Sequence, residues 1–116
     1  DILYKLKHGF NRRLNKSLKR NKFVYSSTID LTNTIGCSFD EFKTHLESKF
    51  EDWMTWENYG KYNGELNFGW DIDHITPVSS AKTVDEIYKL NHFSNLQPLC
   101  SKINRDIKRN KTTFNI

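Results

Sequence analysis

The residues best suited to chemistry are an adjacent pair, Asp73-His74, and, farther along the chain, Asn104. Hydrolysis of a phosphodiester needs a base to take a proton from the attacking water. It also needs positive charge against the phosphoryl oxygens and stabilisation of the leaving oxygen. An imidazole with an ordinary pKa of about 6.5 is substantially neutral at pH 7 and can accept that proton. A hard divalent cation prefers oxygen ligands, often takes only one or two from the protein, and fills its shell with water and phosphate. Asp73 offers a charged oxygen and Asn104 a neutral one. This donor set suits Mg²⁺, admits Mn²⁺ or another divalent ion, and leaves net positive charge facing an anionic substrate. Asp71 is the rival carboxylate, two residues before Asp73 on the same strand face; it reads as a second ligand or, more simply, as a solvated strand residue. His92 shortly before Asn95 has nothing spaced to orient it, His45 reads as a solvated helix residue, and His8 belongs to a basic segment.

Several elements must position these groups. Trp70-Asp71-Ile72-Asp73-His74-Ile75 alternates with period two, so Trp70, Ile72 and His74 share one strand face and Asp71, Asp73 and Ile75 the other. Neighbours on a strand point to opposite faces, so Asp73 and His74 share a site only where the strand ends or bends. Pro77 supplies that break. Thr83 with Glu86 forms a capping-box pattern that opens a short helix through Ile87 and Leu90. Asn95-Leu96-Gln97-Pro98-Leu99-Cys100 reads as an edge strand, because Pro98 has no N–H to donate. Ser101 caps a last helix that carries Asn104 in its first turn and turns Ile103 and Ile107 inward. Residues 70–111 are thus strand, loop with a short helix, strand, helix.

Upstream, Leu3, Leu6, Phe10, Leu14 and Leu18 recur at helical spacing and leave Arg12, Arg13, Lys16, Lys19 and Arg20 on the remaining face, with Gly9 weakening the pattern slightly. Such a basic amphipathic helix could lie on a membrane surface, but its stripe lacks Trp and is needed for docking. A second capping box, Ser38 with Glu41, opens a helix whose Phe39, Phe42, Leu46 and Phe50 share a face. Trp53, Met54, Trp56 and Tyr59 continue as an aromatic cluster that ends at Gly60 and clamps the basic helix.

The 116 residues point to a single domain, with a basic helical segment (1–34), a helix and aromatic packing segment (35–69) and the strand-bearing segment (70–111). Charge is segregated: residues 1–25 carry +7, residues 26–100 carry −7 and residues 101–116 carry +4. Two basic ends flank an acidic middle, a footprint that suits a polyanion held by its phosphates around a cation-recruiting site. An ordinary solvated surface with uneven charge produces the same numbers. Cys37 and Cys100 stand far apart, which excludes a four-cysteine structural zinc within this chain; a single disulfide is open, though lone thiols point to a reducing compartment. With no long apolar run and no signal peptide, the expectation is a cytoplasmic protein, in the host cytosol if phage-encoded, with no membrane partner.

Taken together, Asp73-His74-Ile75-x-Pro77, the Asn95–Cys100 run and Asn104-x-x-x-Lys108 resemble the HNH endonucleases, a family of ββα-metal nucleases. Upstream, Gly36-Cys37-Ser38, Phe42-Lys43, His45-Leu46, Phe50 and Met54-Thr55-Trp56-x-Asn58-Tyr59-Gly60 look like the N-terminal half of phage-type and mobile-element members, so the likeness covers roughly residues 35–111. The resemblance implies an α+β fold, a ββα-metal (His-Me finger) core with additional N-terminal helices. It implies that His74 is the general base, that Asp73 and Asn104 hold the metal, that Asn95 ties the motif's loop together and helps orient the base, and that Lys108 lies near the scissile phosphate. The products would carry a 5′-phosphate and a 3′-hydroxyl. The paired-cysteine zinc knuckles that brace many members are absent from the sequence. The expected substrate is double-stranded DNA, its backbone held by Arg12, Arg13, Lys16, Lys19 and Arg20 at one end and Lys102, Arg105, Lys108, Arg109 and Lys111 at the other. Cutting both strands would require a homodimer or two successive events. Three alternatives stay open: a non-catalytic DNA-binding module, a protein-interaction domain, and a toxin or RNA-directed nuclease.

Overall fold

A computed structural model describes residues 1–20 and 31–108. The predicted contributors Arg109 and Lys111, and the end of the basic segment at Lys22, lie outside the described residues. α1 (Ile2–Arg20) forms as its apolar spacing requires, with Leu6, Phe10, Leu14 and Leu18 fully buried. Each such burial contributes on the order of 1.5–3 kcal/mol. The stripe is therefore consumed in the core, and no described helix is long and apolar enough to cross a membrane.

A short α2 (Leu31–Ile35) leads through Gly36 into α3 (Phe39–Glu47). Gly36 adopts φ +83°, and a Cβ there would lie 2.2 Å from His92 Nε2, so both backbone and packing demand glycine. The Ser38 capping box is complete: Ser38 Oγ accepts from Glu41 N–H, and Glu41 Oε1 accepts from Ser38 N–H, each at 3.0 Å. Phe42 and Leu46 are fully buried. His45 departs from the solvated role expected of it. Its Nε2 lies 3.0 Å from the Leu96 carbonyl oxygen, its ring stacks on Phe42 and meets Phe93 edge-on, and it docks α3 against the sheet.

The sheet has two antiparallel strands, β1 (Trp70–His74) and β2 (Leu96–Cys100), in register Trp70↔Cys100 through His74↔Leu96. Between them lies α4 (Val84–Leu90), N-capped by Thr83, whose side chain accepts from Glu86 N–H. Glu86 Oε2 accepts from Lys82 N–H rather than from the N–H of the cap residue, so the predicted box is only half made. After β2 the chain turns helical at Ser101 and winds as a π-helix over Ile103–Lys108. The architecture is mixed: helices packed around a small antiparallel sheet, an α+β fold.

Trp70 is fully buried and stacks on Tyr59 (4.6 Å between ring centroids), with Trp56 and Phe50 edge-on at 5.2 and 5.0 Å. Its indole N–H donates to Thr55 O at 2.6 Å. This cluster anchors the start of β1 and brings Tyr59 against α1 at Gly9, as the expected clamp requires.

Candidate active site

The C-terminal end of β1 opens on a cavity of about 300 Å³ lined by Ile72, Asp73 and His74, by Asn104 of the last helical segment, by Pro77, Val78 and Ser79, and by Arg13, Lys16, Ser17 and Arg20 of α1. Asp73, His74 and Asn104 thus share one cavity although 30 residues of chain separate the last two. The strand ends at His74, with Pro77 close behind, which lets the neighbours Asp73 and His74 reach the same space.

Asp73 is buried, and its Oδ2 accepts from Gln97 Nε2 at 2.9 Å and from Lys108 Nζ at 2.5 Å. Lys108 is itself buried and also donates to the His74 carbonyl at 2.9 Å. It was expected beside a bound phosphate; the structure places it beneath the strand as the counter-ion of Asp73. The second carboxylate oxygen of Asp73, Oδ1, takes no hydrogen bond from a described residue.

His74 is held by a residue that spacing did not single out. Its Nε2 lies 2.8 Å from Oδ1 of Asn91, which is buried at the C-terminus of α4, and Asn91 Nδ2 donates to Ile87 O at 2.8 Å. The Ile87 carbonyl fixes which end of the amide faces the imidazole, so Nε2 is the protonated nitrogen and Nδ1 keeps its lone pair. Burial lowers the pKa of His74, with the Asn91 bond opposing and Arg13 reinforcing the shift. The ring is neutral at pH 7 and able to accept a proton. No described hydrogen bond joins Asn95 to the imidazole. Its Oδ1 accepts from Thr76 N–H (2.9 Å), its Nδ2 donates to Thr76 O (3.0 Å) and Leu90 O (2.7 Å), and its own carbonyl accepts from Ile75 N–H (2.8 Å). It staples the two ends of the β1–β2 connection and so sets where α4 presents Asn91.

Asn104, which lines the cavity, donates through Nδ2 to Asp71 Oδ2 at 3.0 Å, which leaves its amide oxygen as an acceptor. Asp71 is neither solvated nor a member of the cavity. Arg105 grips it with Nε and Nη2, each at 2.8 Å. Burial opposes the charged form of Asp71, yet the bonds from Arg105 and Asn104 hold its carboxyl below the usual range. Its role is to orient Asn104. The oxygens left to a cation are therefore Asp73 Oδ1 and Asn104 Oδ1, a hard pair that fits Mg²⁺ or Mn²⁺ with the remaining shell from water and substrate. Among the described residues, no group of three or more His, Cys, Asp or Glu converges, so such a site rests on one carboxylate and one amide.

The residues expected to hold nucleic acid fall into two sets. Arg13, Lys16 and Arg20 line the cavity, and Arg12 and Lys19, again with Lys16 and Arg20, line an adjoining shallow groove on α1. Lys102 is paired with Asp106 (3.2 Å) and Arg105 with Asp71. The two sequence signals that could have exposed this are the i, i+4 spacing of Lys102 and Asp106 and the presence of Asn91 one turn after Ile87.

No family model and no solved structure matches the chain. Two proteins of the giant virus Acanthamoeba polyphaga mimivirus are similar to it. The uncharacterized protein L426 is 29% identical over 113 residues, which cover 96% of this chain and 44% of L426. The uncharacterized protein L246 is 30% identical over 104 residues, covering 88% of this chain and 36% of L246. The chain thus spans less than half the length of these curated relatives.

Proposed function

We propose that this chain is a divalent-metal-dependent endonuclease of the HNH type, with a ββα-metal core formed by β1, β2 and the helical segment after β2, acting on phosphodiester bonds of DNA. The observation that carries the reading is the convergence of a neutral imidazole whose Nδ1 has no described partner, a carboxylate and an amide on one cavity walled by basic residues. In this reading Asp73 and Asn104 hold the cation, and the cation supplies positive charge against the phosphoryl and leaving oxygens. His74 Nδ1 takes the proton of the attacking water, whose oxygen bonds to phosphorus as the P–O3′ bond breaks. The 3′-oxygen leaves with a proton from solvent, giving a 5′-phosphate and a 3′-hydroxyl. Asn91 keeps the base in the productive tautomer, and α1 holds the backbone.

One observation favours a second reading, a DNA-binding module without catalysis: Lys108 already neutralises Asp73, so a cation must share that carboxylate with a buried ammonium. Incubation of supercoiled plasmid with Mg²⁺ or Mn²⁺, beside EDTA and the His74→Ala variant, separates the two. Metal-dependent nicking that disappears in His74→Ala is the expected result. Binding without nicking under every metal tried would leave the module.

A further inference from the structure

We propose that Arg13 is a bidentate phosphate-binding residue at this site, able to take a phosphate group in the absence of metal; the identification of that phosphate as part of a nucleic-acid backbone rests on the nuclease reading. Arg13 differs from the other cations of α1 in being withdrawn into the protein. Its Nε and Nη2 atoms are buried and have no hydrogen-bond partner among the described residues. Those two atoms carry the parallel N–H bonds of one guanidinium edge, the edge that matches two oxygens of a phosphate or carboxylate. The remaining nitrogen, Nη1, sits beside the Tyr59 hydroxyl; a Cβ on Gly9 would lie 3.2 Å from Nη1 and 3.7 Å from Tyr59 Oη. Gly9, which only weakens the helix by propensity, is what leaves room for the guanidinium there.

Asp73 in the cavity and Asp71, whose charge Arg13 feels at a distance, both spend their hydrogen bonds elsewhere, Asp71 on Arg105 and Asn104, Asp73 on Lys108 and Gln97. A buried cation without a counter-ion is costly, and native structures retain one where an external anion completes it. Arg13 lines the same cavity as His74, Asp73 and Asn104, with Ser17, Lys16 and Arg20 on the same helix side. That edge of the guanidinium holds two donors that no described residue occupies. The edge lies below the surface, so engagement turns the guanidinium toward the opening, and the lack of a described partner for those donors favours the turn.

The test is a titration of the whole, metal-free chain in EDTA with inorganic phosphate at constant ionic strength, following the Arg13 Nε–H resonance, with chloride as the control anion. A saturable phosphate-specific shift is expected. Arg13→Gln should lower phosphate affinity at least about tenfold, and Arg13→Lys, which keeps the charge but loses the fork, should recover only part of it. An Nε–H resonance that phosphate does not move, in protein whose folded spectrum is intact, overturns the proposal, as does unchanged affinity in a folded Arg13→Gln. The plasmid assay distinguishes the two readings: phosphate binding without nicking under any metal sinks the nuclease and keeps the anion site. Nicking that Arg13→Gln leaves unchanged in both kcat and KM keeps the nuclease and sinks the role given to Arg13.

Discussion

The two basic ends of this chain look alike in composition and behave oppositely in structure. After β2, Lys102, Arg105 and Lys108 pair with Asp106, Asp71 and Asp73 respectively. On α1, none of Arg12, Arg13, Lys16, Lys19 and Arg20 forms an ion pair with a described residue. One set of charges is spent on pairing within the chain, with Lys108 holding the carboxylate of the site and Arg105 the one behind Asn104. The other is available to an outside anion. Counting Lys and Arg along a chain measures total charge, whereas an anion responds to charge left after internal pairing.

The sharpest way to break this contrast is to remove Lys108. Lys108→Met leaves Asp73 buried with Gln97 as its one partner among the described residues, and loss of one member of a buried ion pair costs about 3–5 kcal/mol. Urea denaturation should show that loss. If Asp73 holds a cation, millimolar Mg²⁺ should restore part of the stability in this variant more than in the wild type. A variant as stable as the parent would mean that the pair contributes nothing and that the two ends differ less than their geometry implies.

Asn91→Leu should come next. It strips the imidazole of its only described side-chain partner and leaves Nε2–H buried and unpaired, a cost of about 1–3 kcal/mol. In the nuclease reading kcat should also fall while DNA affinity stays, and ¹⁵N chemical shifts of His74 should report loss of the single tautomer. A kcat equal to the parent's would remove Asn91 from the positioning of the base.

The contrast in binding is then tested by single removals. In the nuclease reading, Lys16→Ala and Arg20→Ala should each lower the slope of log DNA affinity against log salt by about one, because each would withdraw a phosphate contact. Arg105→Ala should leave that slope unchanged and lower stability by about 1 kcal/mol, as expected for a partly exposed pair. Equal slopes for all three variants would erase the distinction between the ends.

The smallest effect concerns pH. The folded-state pKa of His74 lies below its ordinary value, chiefly through burial and in lesser part through Arg13. Its contribution to stability is therefore fully present above about pH 6.5 and is lost as pH falls from there through the folded value. Arg13→Gln should raise the His74 pKa and narrow that window, read by NMR titration of the metal-free chain. Arg12→Ala, whose side chain lies outside the cavity, should leave the titration where it is.

What could be read from the chain follows a physical division. The α1 stripe, the Ser38 cap and the strand, helix, strand, helix order are local or periodic, and each is visible within a few residues. The gathering of Asp73, His74 and Asn104 was legible only as a pattern of three separated blocks. The partners of those residues were not legible. Asn91 to His74 spans 17 positions and Lys108 to Asp73 spans 35, and neither pairing leaves a periodic trace. His45 misled for the same reason: its partner, Leu96 O, is 51 residues away and becomes its neighbour only once β2 is laid down. Asp71 was misjudged because strand alternation says which face a side chain takes and nothing about which cation waits there.

The π-wound segment Ile103–Lys108 has a consequence for how this protein can change over time. Such a wide turn accommodates more residues per turn than an α-helix and is seldom kept without use. Removing one residue from it would relax the segment to ordinary winding and strengthen its backbone, yet rotate Lys108 by about a quarter-turn or more away from Asp73. Shortening here would trade a neutralised carboxylate for a tidier helix. Away from Asn104, Arg105 and Lys108, exchanges of residue type within the segment are thus open to drift in a way that changes of its length are not.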